Sequence, residues 1–320
     1  MRKLILLSSI LFTITLVSCQ DKNQVLIPTI DGEWWQVAGD PDLGDYTSPK
    51  QQPVDFGVWQ AADGTWQLWS CIRHTNCGGN TRLFHRWEGE SLFDADWKPM
   101  GIAMEADTTL GEKYGCLQAP HVIKKGDTYF MLYGDCNNIC LAISKDGKEF
   151  TRVINDEGTP ALFTGPYWNT RDAMTLKHGD LYYCYYTGHM TDKEPDAAIF
   201  CRTSADLYNW SEPVMVSGGG SPRDKDRWFG GDAECPFVVE KDGQFYLFRN
   251  QMYGEENLNT QYCSPNLMDF GVNDDQFMIG EMAVAAPEII FYEDEYYMAA
   301  LLPSLKGIRI AKLKWIKKIP

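Results

Sequence analysis

The chain is poor in the features that mark several large classes of protein. Positive charge is short: 29 Lys and Arg stand against 44 Asp and Glu, a formal net charge of −15, which argues against nucleic-acid partners and against general electrostatic adhesion to anionic surfaces. No phosphate-cradling loop occurs, because Gly218-Gly219-Gly220 lacks a following Lys-Ser/Thr pair and does not sit between a strand and a helix. Cysteines never fall as CxxC, and amphipathic helical runs of useful length are missing. Beyond the leader, no stretch is long and apolar enough to cross a bilayer.

What the chain does hold is strands and turns, with 44% apolar and 13% aromatic residues, enough for one large core. The stretch Gly231 to Gln251, GDAECPFVVEKDGQFYLFRNQ, places an acid, Glu234, at the head of an apolar run; Lys241-Asp242-Gly243 then turns the chain into a second strand. Four other stretches share this plan. Aligned on the aromatic residue after each turn (Trp66, Tyr129, Tyr182, Phe245, Tyr296), with one extra turn residue allowed in the first and fourth copies, the hairpin heads are Asp55, Ala119, Asp172, Glu234 and Ala286. A second marker recurs in step with the first: SLFDADW, SKDGKEF, SADLYNW and SPNLMDF. A period of roughly 50 to 65 residues, with several short strands per unit, predicts an all-β, five-bladed β-propeller of four-stranded blades. The last unit has only three strands, so a segment around Glu33 to Val37 is expected to supply its outer strand and close the ring, removing the open edges.

The start, MRKLILLSSILFTITLVSCQ, has a basic tip, a short apolar core and a Leu-Val-Ser-Cys box. It resembles a bacterial lipoprotein leader, which implies cleavage after residue 18, lipidation of Cys19, a tether over 19–32, and a propeller over 33–320 held in the cell envelope by a lipid anchor. Nine further cysteines, several inside predicted strands, read as buried free thiols; Cys136 and Cys140 are close enough in sequence for a bridge or a thiol metal pair.

In a propeller the first strand of each blade lines the central channel, so the heads should ring one mouth, and three of them are acids. Mutual repulsion and partial desolvation should raise at least one pKa, the division of roles that glycosidic cleavage needs. The long connections all emerge on this side, where loops carry function. Here the residues resemble the five-bladed propeller glycosidases, glycoside hydrolase families 43 and 32. Arg171-Asp172 is similar to the Arg-Asp-Pro motif of family 32, with Ala173 for the proline, and Glu234-Cys235-Pro236 matches that family's Glu-Cys-Pro motif. Pro53-Val54-Asp55-Phe56-Gly57 keeps only the acid and a nearby glycine of the family's first motif, and no β-sandwich of the kind that commonly follows the family 32 propeller is expected.

The resemblance implies Glu234 as general acid, Asp55 as nucleophile or base, and Asp172 as the group that holds sugar hydroxyls and tunes Glu234. Arg171 would bind a hydroxyl or an anionic group. Trp34, Trp35, Tyr167, Trp168, Trp228 and Phe229 are candidate sugar platforms. Arg73, His74, Arg223, Lys225 and Arg227 are bases in mouth loops, consistent with a uronic or sulfated sugar. His121 and Glu288 lie two residues beyond Ala119 and Ala286, hence deeper in the channel. They either fill it or help hold a structural cation there, as in some family 43 relatives; no other cofactor is expected. The expected activity is hydrolysis of an oligo- or polysaccharide. Two alternatives stand beside it: a carbohydrate-binding lipoprotein without chemistry, and elimination or dehydration on a uronyl sugar.

Overall fold

A computed structural model describes residues 25–167, 169–192, 196–222 and 233–317. Cys19 with the leader, Trp168, Arg223, Lys225, Arg227, Trp228 and Phe229 lie outside the described residues. Among those described, the strands form five antiparallel sheets. Blade one contains Gln52–Gln60, Trp66–Arg73, Leu83–Gly89 and Lys98–Met104; blade two contains Gln118–Lys125, Thr128–Gly134 and Asn138–Ser144, its outer position shared by Thr151–Arg152 and Ala161–Thr164. Blade three is Arg171–His178, Leu181–His189, Ala197–Ser204 and Val214–Gly218, and blade four is Glu234–Lys241, Gln244–Met252, Leu258–Ser264 and Met278–Met282. Glu288–Tyr292, Glu295–Leu301, Gly307–Lys317 and the N-terminal Leu26–Gly39 make blade five.

The first strands of neighbouring blades touch all the way round, blade five meeting blade one, so they are the innermost strands of a closed propeller. At Gly57 the approach of blade two is so close that a Cβ would collide with the Pro120 carbonyl oxygen. Burial follows position: Trp66–Arg73, second in its blade, is covered on both faces, whereas the outer Lys98–Met104 is mostly exposed or half-buried. That is why second strands read as continuous apolar runs rather than as alternation.

The serine markers prove to be turn caps. Ser144 Oγ accepts from Gly147 N at 2.8 Å, and Ser204 Oγ accepts from Leu207 N at 2.8 Å. Each such turn is gripped by the preceding blade: Trp59 Nε1 donates to the Gly147 carbonyl at 2.8 Å, with Phe150 edge-on to Trp59 and Trp69, and Tyr185 Oη donates to Leu267 O at 3.0 Å.

Ring closure occurs as expected, with Leu26–Gly39 antiparallel to Gly307–Lys317 from Leu26↔Lys317 to Gly39↔Gly307. The strand is longer than the sequence pattern implied. It begins at Leu26 rather than Glu33, so residues 26–32 belong to blade five and not to a tether. The cysteine expectation is also corrected: Cys136 bonds to Cys116, with Cα atoms 5.8 Å apart, while Cys140 is a buried free thiol. The pairing has a plain cause. Gln118 faces Gly134 across the first hairpin of blade two, so the positions two beyond each come opposite one another.

Deleting residues through Gly39 strips blade five of its outer strand and uncovers the edge of Gly307–Lys317. Such a protein should lose its cooperative thermal transition, whereas one beginning at Val25 should melt like the full chain. Equal melting of the two would refute the closure role.

Candidate active site

Four of the five hairpin heads occupy the place expected of them. Asp55, Ala119, Asp172 and Ala286 have left-handed φ of 40°, 43°, 58° and 47°, and in blade four the residue with this conformation is Cys235, at 43°. In blades one to four a register shift in the pairing of first and second strands falls at the same point, marking a bulge that turns the head toward the mouth. Glu234 therefore stands one place earlier, equivalent to Arg171 and Gln118. The extra turn residue allowed in the fourth copy does not exist, since Lys241 pairs with Gln244 as Lys125 pairs with Thr128.

The mouth is consequently built in two tiers. The five heads, with the residues after them, surround the channel top: Asp55, Ala119, Asp172, Cys235 and Ala286, over Phe56, Pro120, Ala173, Pro236 and Pro287. The tier above contributes Gln118, Arg171 and Glu234 to a wider cavity of about 490 Å³, whose wall also includes Asp55 and Asp172. Loop residues complete it, among them Arg73, Asn80, Arg82, Lys113, Asn137, Asn169, His189 and Tyr253. The expected acid trio is thus brought together.

Arg171 is the hub. The residue is 6% exposed, and its guanidinium donates through Nη2 to Glu234 Oε1 and lies 3.5 Å through Nε from Asp172 Oδ2. Burial works against its charge, and Glu234 and Asp172 more than restore it, so its pKa is raised. The Asp172 carboxyl also accepts from the Cys235 backbone N–H at 3.3 Å. Burial pushes the Asp172 pKa up to about 7; Arg171 opposes the rise, and the charges of Asp55 and Glu234 add to it. Asp55 is oriented from the other side, its Oδ1 taking contacts from the Cys235 thiol at 3.3 Å and the Tyr253 hydroxyl at 3.2 Å. Burial and the surrounding carboxylates hold both Cys235 and Tyr253 well above their usual pKa ranges, so both remain donors at neutral pH.

Arg73 lines the cavity as expected; His74 is exposed and does not. Trp34 and Trp35 are not platforms at this mouth. Trp35 donates to Leu92 O at 3.1 Å and packs on Phe93 and Tyr297, while Trp34 lies under the Arg309 guanidinium at 4.2 Å. Tyr167 is 40% exposed in the connection entering blade three. Deeper in the channel, His121 Nε2 is 3.3 Å from Thr175 O and its pKa is lowered by burial to about 4; Glu288 lines the channel and burial raises its pKa. Among the described residues the set of three close metal-ligating side chains is Asp55, Asp172 and Cys235, without either of these. Sequence reasoning missed Gln118, Arg82, Lys113 and Tyr253. Gln118 alone had a signal, its place one before a head, matching Arg171.

No protein-family model matches the chain, and no curated protein sequence matches it. Solved structures do match. The chain is similar to a thermostable family-43 glycoside hydrolase at 18% identity and TM-score 0.60, over 88% of this chain and 96% of that one. An endo-arabinase from Bacteroides thetaiotaomicron aligns at 13% identity and TM-score 0.60, over 88% and 98%. A GH43_1 enzyme from Xanthomonas citri complexed with xylose aligns at 14% identity and TM-score 0.62, over 87% and 90%. What is shared at these identities is the fold, a five-bladed propeller.

The raised pKa of Asp172 has a sign that can be checked. Between its ordinary value of 3.8 and about 7, the unfolded chain has lost this proton while the folded chain keeps it, so this group's contribution to stability falls as pH rises through that window. Asp172→Asn removes the titration. Its melting temperature relative to wild type should climb from pH 4 to pH 8, and a pH-independent difference would show that Asp172 is not held protonated.

Proposed function

We propose that the protein is a glycoside hydrolase that cleaves a glycosidic bond of an oligo- or polysaccharide in the mouth cavity. One observation carries this reading: Asp55, Asp172 and Glu234, from the innermost strands of three blades, converge on the wall of one cavity of about 490 Å³. That volume lies in the range of small-ligand sites, roughly 300 to 1,000 Å³. Glycosidic cleavage needs one carboxyl to protonate the leaving oxygen and a second to attack the anomeric carbon or to activate water. Glu234 takes the first role. Asp55, its Oδ1 fixed by Tyr253 and Cys235, takes the second. Asp172 and Arg171 hold sugar hydroxyls and tune Glu234, because the one guanidinium reaches both carboxyls.

The similar solved structures, an endo-arabinase and a xylose complex among them, support a sugar ligand. The leader with Cys19 supports export and a lipid anchor in the cell envelope. The Cys116–Cys136 disulfide agrees with that address, since such bonds persist in oxidising compartments.

Screening against plant and algal glycans identifies the substrate. On it, Glu234→Gln should lower kcat by roughly 10²- to 10⁴-fold, the usual contribution of a general acid, with the melting curve intact. Full turnover by this variant would sink the assignment. Sugar binding that survives loss of all three carboxyls, with no product from any glycan, would instead assign a carbohydrate-binding lipoprotein.

A further inference from the structure

Among the described residues, the cavity wall of this acidic protein carries four cationic side chains, Arg73, Arg82, Lys113 and Arg171. Arg171 has acid partners. The other three have no carboxylate within ion-pair distance among the described residues, although cations elsewhere do: Arg152 with Glu112 at 2.7 Å, Lys148 with Asp63 at 2.6 Å, Lys314 with Asp31 at 2.9 Å. Arg82 Nη1 reaches only the Asn80 carbonyl, at 3.5 Å, and its Nε is buried without an acceptor. Arg73 Nε donates to the neutral Gln52 side chain at 2.8 Å, and its guanidinium lies 5.9 Å from the ring centre of Tyr253.

Acids on the same loops are engaged elsewhere. Glu112, next to Lys113, accepts from Arg152 Nε at 2.8 Å and from the Tyr133 hydroxyl at 2.6 Å. Asp135, beside Cys136, accepts from Asn137 N at 2.9 Å and Asn138 N at 2.7 Å. Among the described residues, the cations on the side of the cavity formed by blades one and two are therefore without an ion pair. The acids Asp172 and Glu234 come from blades three and four, and Asp55, the one cavity acid from blade one among the described residues, has its Oδ1 engaged by Tyr253 and Cys235. A partly desolvated guanidinium lacking acceptors is poorly satisfied, and an oxyanion supplies the charge-assisted hydrogen bonds it lacks.

We infer that this side is a subsite for an anionic group on the sugar, a uronate carboxylate or a sulfate ester, held by Arg82 and Lys113 with Arg73 beside them. The inference rests on the cavity being a sugar site and narrows its substrates to acidic glycans. Arg82 directs paired N–H donors at the anion, as guanidinium groups do for planar or tetrahedral oxyanions, and exposed Lys113 adds a mobile point charge.

Calorimetric titration with inorganic sulfate, with galacturonate and with galactose as the neutral control tests the subsite on wild-type protein, Arg82→Gln and Lys113→Gln. Wild type should bind at least one of the anions more tightly than galactose. Arg82→Gln should weaken that binding by about tenfold or more, the worth of a charge-assisted hydrogen bond. Lys113 is exposed, so its variant tests the charge without risk to folding and should weaken the same anion. Binding of sulfate without galacturonate assigns a sulfate ester, and the converse assigns a uronate. Binding of neither anion, or anion affinity unchanged in both variants, overturns the subsite. Failure of the two readings is distinguishable. Hydrolysis of a neutral glycan without anion binding removes the subsite and keeps the hydrolase, whereas anion binding with no turnover on any glycan does the reverse.

Discussion

The mouth of this propeller depends on one backbone constraint, a left-handed residue at the head of every innermost strand. None of the five is glycine, and a non-glycine residue in this region costs on the order of 1–3 kcal/mol, so it persists only where its surroundings over-determine it. The closed ring of innermost strands supplies that determination, each packed against the next. Because the bulge at the head interrupts strand alternation, the head and the residue before it both reach the mouth. Ala119, Ala286 and Cys235 keep the lower tier small enough for the strands to converge, and the remaining two heads are the carboxylates Asp55 and Asp172.

Two carboxylates in that lower tier, with Glu234 above them, would repel strongly in so buried a place. Arg171 makes the arrangement tenable by standing between Asp172 and Glu234, and Cys235 adds a backbone N–H to Asp172. Compensation is incomplete: burial above all, with the charges of Asp55 and Glu234 adding to it, outweighs Arg171 and keeps the Asp172 pKa near 7. Residual frustration of this kind is what a site for acid–base work requires, since fully neutralised carboxyls would have no reason to exchange protons near neutrality.

The fold was legible because blade construction imposes its chemistry five times over. Turn residues, the aromatic after each turn and the capping serines all repeat, and the structure gives each a physical cause. Legibility ended where a single residue mattered. Glu234 and Cys235 are adjacent, and the sequence pattern favours an acid at the head as the equivalent of Asp55 and Asp172; the two-residue turn at Asp242-Gly243 decides for Cys235, and turn length cannot be counted when a bulge elsewhere in the hairpin absorbs the difference. The Cys116–Cys136 bond was hidden for a related reason, since it follows from hairpin register rather than from closeness in sequence. Arg82 and Lys113 carry no local pattern at all. Their meaning comes from which carboxylates they fail to meet, and that is a property of the assembled loops.

The net charge of −15 looks at odds with the proposed acidic ligand, and distance resolves the conflict. At physiological ionic strength the Debye length is about 8 Å, so exposed carboxylates scattered over the propeller are largely screened from a sugar approaching the mouth. Inside the cavity screening is weak and contact is direct, and there, among the described residues, the cations without an ion pair are Arg73, Arg82 and Lys113. Attraction of this range does not draw ligands in from afar. In the proposed subsite it would discriminate among sugars already in place, turning a pair of guanidinium groups and one ammonium group into a test of whether the ring in the cavity carries an oxyanion.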